Sequence, residues 1–168
     1  MFKKTSTILL LLMGFFSGSA VSAPSPEVAA VHIMTEALLA LKESKSQGKS
    51  SIEDVEDLIV SQLLPSLDIN ESAKQALKKH WSNLKPRQQL ILKTYIAVSL
   101  VDSYSSILAS YDDLDSIKIS ANPNVKRKDN KAIVKLKINI NGDTKPVIVS
   151  LKMILSDDWH IYAVVFSG

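Results

Sequence analysis

Apolar residues recur through residues 86–111 in steps of four and then three: Leu92, Ile96, Leu100, Tyr104, Leu108 and Tyr111. That spacing sets all six on one face of a helix. Pro86 suits its first turn, where a missing N–H costs nothing. A helix of about 26 residues would run about 39 Å. Three shorter helices are predicted before it. The first runs over residues 26–42, with Val28, Val31, Leu38 and Leu39 as its apolar face. The second starts at Ser50, which forms a capping-box pair with Glu53, and stops at Pro65. Asn70 is placed to cap a third that runs to about Trp81.

After Tyr111 the period falls to two. Residues 117–120 read as a short strand, broken at Asn122-Pro123-Asn124. Val134, Leu136, Ile138 and Ile140 then alternate with Lys135, Lys137 and Asn139. Asn141-Gly142 signals a tight turn. Val147, Val149, Leu151, Met153 and Leu155 continue the alternation, and residues 159–166 give a fourth strand. Helices followed by an antiparallel meander predict an α+β fold, with the long helix packed on a curved four-stranded sheet. The stripe is then either solid core or one wall of an apolar cavity.

The chain opens with Lys3 and Lys4, the apolar run Ile8 to Phe16, and the small residues Ser17 to Ala23. This is the layout of a secretory signal peptide. Its apolar run is half the ~20 residues a membrane span needs. The expected cut follows Ala20, with Ala23 as the second choice, leaving one domain over residues 24–168 outside the cytoplasm. Removing Lys3 and Lys4 lowers the formal charge from +3 to +1. With no cysteine in the chain, disulfides, thiolate metal sites and cysteine nucleophiles are excluded.

His32, His80 and His160 show no metal-ligand spacing. The carboxylate pairs Glu53/Asp57 and Asp112/Asp115 fit helix-start charge and an acidic turn. Nothing in the sequence argues for catalysis, so no enzyme is expected. The sheet region holds nine cations (Lys118, Lys126, Arg127, Lys128, Lys131, Lys135, Lys137, Lys145 and Lys152) against Asp129 and Asp143. Lys126, Arg127, Lys128, Lys135 and Lys137 are candidates for docking on an anionic membrane or an acidic partner. The plainer reading is a solvated face that resists edge association.

Three stretches, in order, resemble the MlaC family of periplasmic phospholipid carriers, also described as toluene-tolerance auxiliary proteins. They are Gln62-Leu63-Leu64-Pro65-Ser66-Leu67-Asp68-Ile69; His80-Trp81 through Lys85-Pro86-Arg87-Gln88 to Tyr104, Leu108 and Tyr111; and Trp159-His160-Ile161-Tyr162 with Val164-Val165 and Gly168. The chain departs from the family pattern at Gln89, usually arginine, and Ala163, commonly aspartate. It also ends before the further segment that helps close the family's pocket, which reads as a shortened carrier, a truncated reading frame or a degenerate relative that binds lipid poorly.

The resemblance implies a non-catalytic carrier moving phospholipid between inner and outer membranes, with acyl chains in a cavity between helices and sheet. No cofactor is implied beyond the phospholipid cargo. The implied partners are an inner-membrane ABC transporter complex and an outer-membrane lipoprotein–porin complex; nucleic acid is not expected. The candidate lining is Leu64, Leu92, Ile96, Leu100, Tyr104, Leu108, Tyr111, Val134, Leu136, Ile138, Val149, Leu151 and Met153. One alternative is a cystatin-like or NTF2-like small-molecule binder or enzyme, which would place ionisable groups on inward faces. Another is a secreted interaction module with a filled core.

Overall fold

The computed structural model describes residues 23–141 and 145–167. The predicted signal peptide and the turn at Gly142 lie outside the described residues. Four α-helices, α1 (Pro26–Ser46), α2 (Ile52–Leu58), α3 (Ile69–Leu77) and α4 (Pro86–Ser110), precede five strands. The strands are β1 (Lys118–Ala121), β2 (Lys126–Lys128), β3 (Lys131–Asn139), β4 (Val147–Leu155) and β5 (Trp159–Ser167). They form one antiparallel sheet in the order β1-β3-β4-β5, with β2 also paired to β3. The fold is α+β. The fifth strand, β2, escaped the sequence reading because Lys126, Arg127 and Lys128 carry no alternation at all and are exposed throughout.

Caps and breaks have local causes. Ser51, one residue later than expected, caps α2: its hydroxyl accepts from Asp54 N, and Asp54 Oδ2 accepts from Ser51 N, each at 3.1 Å. Pro65 cannot donate and its ring crowds the carbonyl four residues back. Accordingly α2 loosens into a π turn (Ile59–Leu63) and then a 3-10 turn (Leu64–Ser66). Asp68, not Asn70, caps α3 by accepting from Glu71 N at 2.8 Å. Lys78 takes φ 50°, ψ −121°, a conformation costly for a residue with a Cβ, and ends α3 there. A 3-10 segment, Lys78–Asn83, then leads to α4.

The helix lying on the sheet is α1, while α4 packs mainly on α2 and α3. Ala29 and Ala30 of α1 are buried with Ala132, Val134, Leu136, Val149, Leu151, Met153, Trp159 and Ile161 in one core cluster. Alanines let the helix backbone approach the sheet closely. The burial therefore falls on Ala29, Ala30 and Leu41, while Val28 and Leu39, expected on the apolar face, are exposed. A second cluster joins Leu41, Val55, Ile59, Val101 and Leu114. The ammonium of Lys45 closes α4 by donating to the carbonyls of Ala109 (2.8 Å) and Tyr111 (2.5 Å), a cation at a helix C-terminus.

Two contacts fix the rim of the sheet. Leu67 forms a parallel bridge to Ile161, and Asp68 N donates to Ile161 O at 2.9 Å. The indole of Trp159 donates to the carbonyl of Pro24 at 2.9 Å, tying the start of the described chain to β5.

Candidate apolar binding surface

The predicted lining does not converge on one hollow. Val134, Leu136, Val149, Leu151 and Met153 are buried in the sheet cluster against α1, with Ile138 packed at its border. Leu64, Leu108 and Tyr111 border the separate helical cluster. Leu92, Ile96 and Leu100 are half-buried and belong to neither cluster, and Tyr104 is exposed. The inward sheet positions are thus close-packed against α1. A dry gap there would forfeit dispersion contacts that the alanine faces supply.

Open apolar surface lies instead at one corner of the same sheet face. A bulge between β4 and β5 shifts the pairing, so that Lys152 faces Ala163 but Met153 faces Ile161. Opposed residues share a face. Val149 pairs with Phe166 and Leu151 with Val164, which puts Phe166 and Val164 on the core side of the sheet. Val147, paired with Ile138, lies on that side too. Yet Val147 is 39% exposed, Val164 47% and Phe166 60%. The sheet's core-facing surface is therefore covered at one end by α1 and bare at the corner formed by the start of β4 and the end of β5.

The sequence reading missed this corner. Counting by twos from Trp159 and Ile161 puts Ala163 and Val165 inward. The extra residue at Tyr162 reverses that parity. Only the three consecutive large apolar residues Val164-Val165-Phe166 signalled it, because one of any adjacent pair must face each side.

Two clefts, of about 410 and 530 Å³, open elsewhere, near the α1–α2 junction and the end of α4. Glu43, Gln47, Asp54 and Ser61 give the first a mainly polar lining, whereas in the second Leu39 and Leu114 lie among Lys42, Lys45, Asp112 and Asp115. Neither includes a residue of the predicted lining.

Charge is arranged around the fold more than within it. Glu71, buried on α3, accepts from Lys131 Nζ at 2.5 Å and from Gln75 Nε2 at 2.9 Å. Burial alone pushes this carboxyl up, but those donors and the charge of Lys74 outweigh it and hold the pKa below its usual value. The same pair raises the pKa of Lys131, against its partial burial. Of the predicted docking cations, Arg127 is engaged by Glu27 at 2.9 Å. Lys126, Lys128, Lys135 and Lys137 are exposed, with Lys135 and Lys137 on the outer sheet face. Among the described residues, no cluster of three or more His, Asp or Glu side chains could hold a metal. No helix among them is long and apolar enough to cross a membrane.

A helical layer resting on an antiparallel meander, with bare apolar surface on the core-facing side, defines an α+β fold. The family model for MlaC proteins matches residues 32–168, and the chain belongs to that family. Among solved structures, it is similar to the phospholipid-binding protein from Ralstonia solanacearum, determined in complex with a phospholipid. The two share 20% sequence identity and superpose with a TM-score of 0.71, over 84% of this chain and 78% of that one. At that identity the likeness establishes the fold. No curated protein matches the sequence.

Proposed function

We propose that this protein is a phospholipid carrier without catalytic activity, which shelters acyl chains against the bare corner formed by Val147, Val164 and Phe166. Membership of the MlaC family supports it, as does the phospholipid in the similar Ralstonia solanacearum protein. The observation that carries it is large apolar side chains left exposed on the core-facing side of the sheet.

Each methylene removed from water is worth about 0.8 kcal/mol. A bilayer offers a similar gain, so a carrier must hold lipid against a surface that matches the bilayer and can release it. An open, polar-free corner meets that requirement better than an enclosed cavity lined by fixed hydrogen-bond partners. The leader-like residues 1–20 support a carrier exported to the periplasm. There the inner-membrane ABC transporter complex and the outer-membrane lipoprotein–porin complex are its partners, and it shuttles lipid between them.

Native mass spectrometry of the purified chain lacking residues 1–20 tests the reading. The wild-type protein should retain phospholipid, and Phe166→Asp with Val164→Asp should lose it while remaining folded. A wild-type protein with no bound lipid, or equal loading in the double variant, contradicts it.

A further inference from the structure

The cations of the sheet are gathered on its outer face by the register of strand pairing. Ala132, Val134 and Leu136 of β3 face the core, so Lys131, Lys135 and Lys137 between and beside them face away from it. Opposed residues share a face. Lys128 is paired with Lys131, Lys126 with Ile133, and Lys118 with Asn139, so all three join the outer side. Arg127 is paired with Ala132 and turns to the core side, where Glu27 holds it. The outward cations are therefore all lysines.

The five strands contain no Asp or Glu. Acids meet the outer face at one end, where Glu71 bonds Lys131 and where Asp129 and the turn at Asp157 and Asp158 adjoin the strand ends. The acidic turn before β1 leans the other way. Its Asp112 and Asp115 lie 3.8 and 3.0 Å from Lys45 and Lys42 of α1, the helix on the core side. Asp143 lies outside the described residues, in a connection that also carries Lys145. Lys118, Lys126, Lys128, Lys135 and Lys137 are exposed and make no ion pair among the described residues. They stem from a strip two strands wide and about 27 Å long.

We propose that this outer face docks on the anionic surface of a lipid bilayer, its five exposed lysines meeting headgroup phosphates. Charge complementarity calls for an anion, and the residue types select a membrane over a protein. Protein interfaces are depleted in lysine and centre on aromatic or arginine anchors. Here Ile133, Ile148 and Ile154 are half-buried among the lysines, with no arginine and no exposed aromatic ring beside them. Lysine is a hydrated point charge without arginine's bidentate fork. It suits the diffuse field of an anionic bilayer. A second copy of this chain is disfavoured as occupant, because it would set lysine against lysine. The bare corner of Val164 and Phe166 is on the opposite side of the sheet, so docking leaves it uncovered. Docking goes beyond the carrier reading and does not rest on it.

Each close lysine should contribute about fivefold to vesicle affinity. The attraction should fade as added salt shortens the Debye length. The test is co-sedimentation of the chain lacking residues 1–20 with vesicles of phosphatidylcholine alone, or of phosphatidylcholine mixed with phosphatidylglycerol. Wild type should sediment with the anionic vesicles only. Lys135→Glu with Lys137→Glu should lower the affinity more than about 25-fold, and Lys118→Glu with Lys126→Glu comparably. Lys79→Glu with Arg87→Glu changes the net charge equally but off the sheet, and should cost less than about fivefold. Circular dichroism checks that each variant is folded.

Equal losses in all three double variants would make net charge the cause and overturn the proposal. Full binding by both sheet variants overturns it too. So does a wild type that ignores anionic vesicles; its retention on poly-glutamate would then assign the face to an acidic protein. Phospholipid content of the same samples keeps the two readings apart. A chain that carries lipid but ignores vesicles overturns docking alone. A chain that binds vesicles but carries none supports docking and removes the carrier reading.

Discussion

The carboxylate of Glu71 on α3 accepts a hydrogen bond from the ammonium of Lys131 on β3, sixty residues away in sequence, and Lys131 also lies 5.3 Å from the ring centre of Tyr162. This pair fastens the short third helix to the sheet. Glu71→Gln should destabilise the fold by about 2 kcal/mol. That is less than the full cost of breaking a buried pair, because Lys131 is partly open to water. Urea denaturation of the two proteins checks it.

The pair also fixes a pH signature. Glu71 has a lowered pKa, so its contribution is complete above the ordinary value of 4.5 and is lost as pH falls through the lower folded-state value. Lys131 has a raised pKa, so its contribution is complete below 10.5 and is lost as pH rises through the higher folded-state value. The stability difference between wild type and Glu71→Gln should be flat between those limits and shrink on the acid side. A difference that grows on acidification would contradict the assignment.

Ser105 of α4 is buried, and its hydroxyl has no hydrogen-bond partner among the described residues. An unsatisfied buried hydroxyl costs free energy that a methyl group does not, and alanine is the better helix former. Ser105→Ala should stabilise the protein by about 1 kcal/mol, read as a higher urea midpoint at unchanged slope. Destabilisation would show that the hydroxyl has a partner after all.

The hydrogen bond from Trp159 to the Pro24 carbonyl ties the first described residues to β5. Trp159→Phe should cost about 1–2 kcal/mol through lost packing and the lost bond. In chains that begin at Ser25 the same substitution should cost about 1 kcal/mol less, because the bond is already missing. A thermodynamic cycle over the four proteins measures the difference.

Much of this fold was legible in the sequence for identifiable reasons. The alternation of Val134, Leu136 and Ile138 with Lys135 and Lys137 placed β3 and gave its faces, because charged neighbours leave a strand only one way round. Pro86 and Pro65 marked a helix start and a helix end through their missing N–H groups. Which helix covers the sheet was not legible. The contact is made by Ala29 and Ala30, whose small side chains carry little signal yet permit the closest approach. The long helix drew attention through its bulky stripe, but it packs on other helices. The bare corner at Val164 and Phe166 was hidden by the bulge at Tyr162, since a one-residue shift in parity cannot be read from period two.

The most direct test uses a phospholipid spin-labelled on an acyl chain, titrated into isotope-labelled protein while side-chain NMR signals are followed. If acyl chains rest on the bare corner of the sheet, the methyl signals of Val147 and Val164 and the ring of Phe166 should broaden first. Those of Ala132 and Val134, sealed beneath α1, should stay sharp. Broadening confined to the clefts beside Glu43 and Asp115, or absent everywhere, would contradict it.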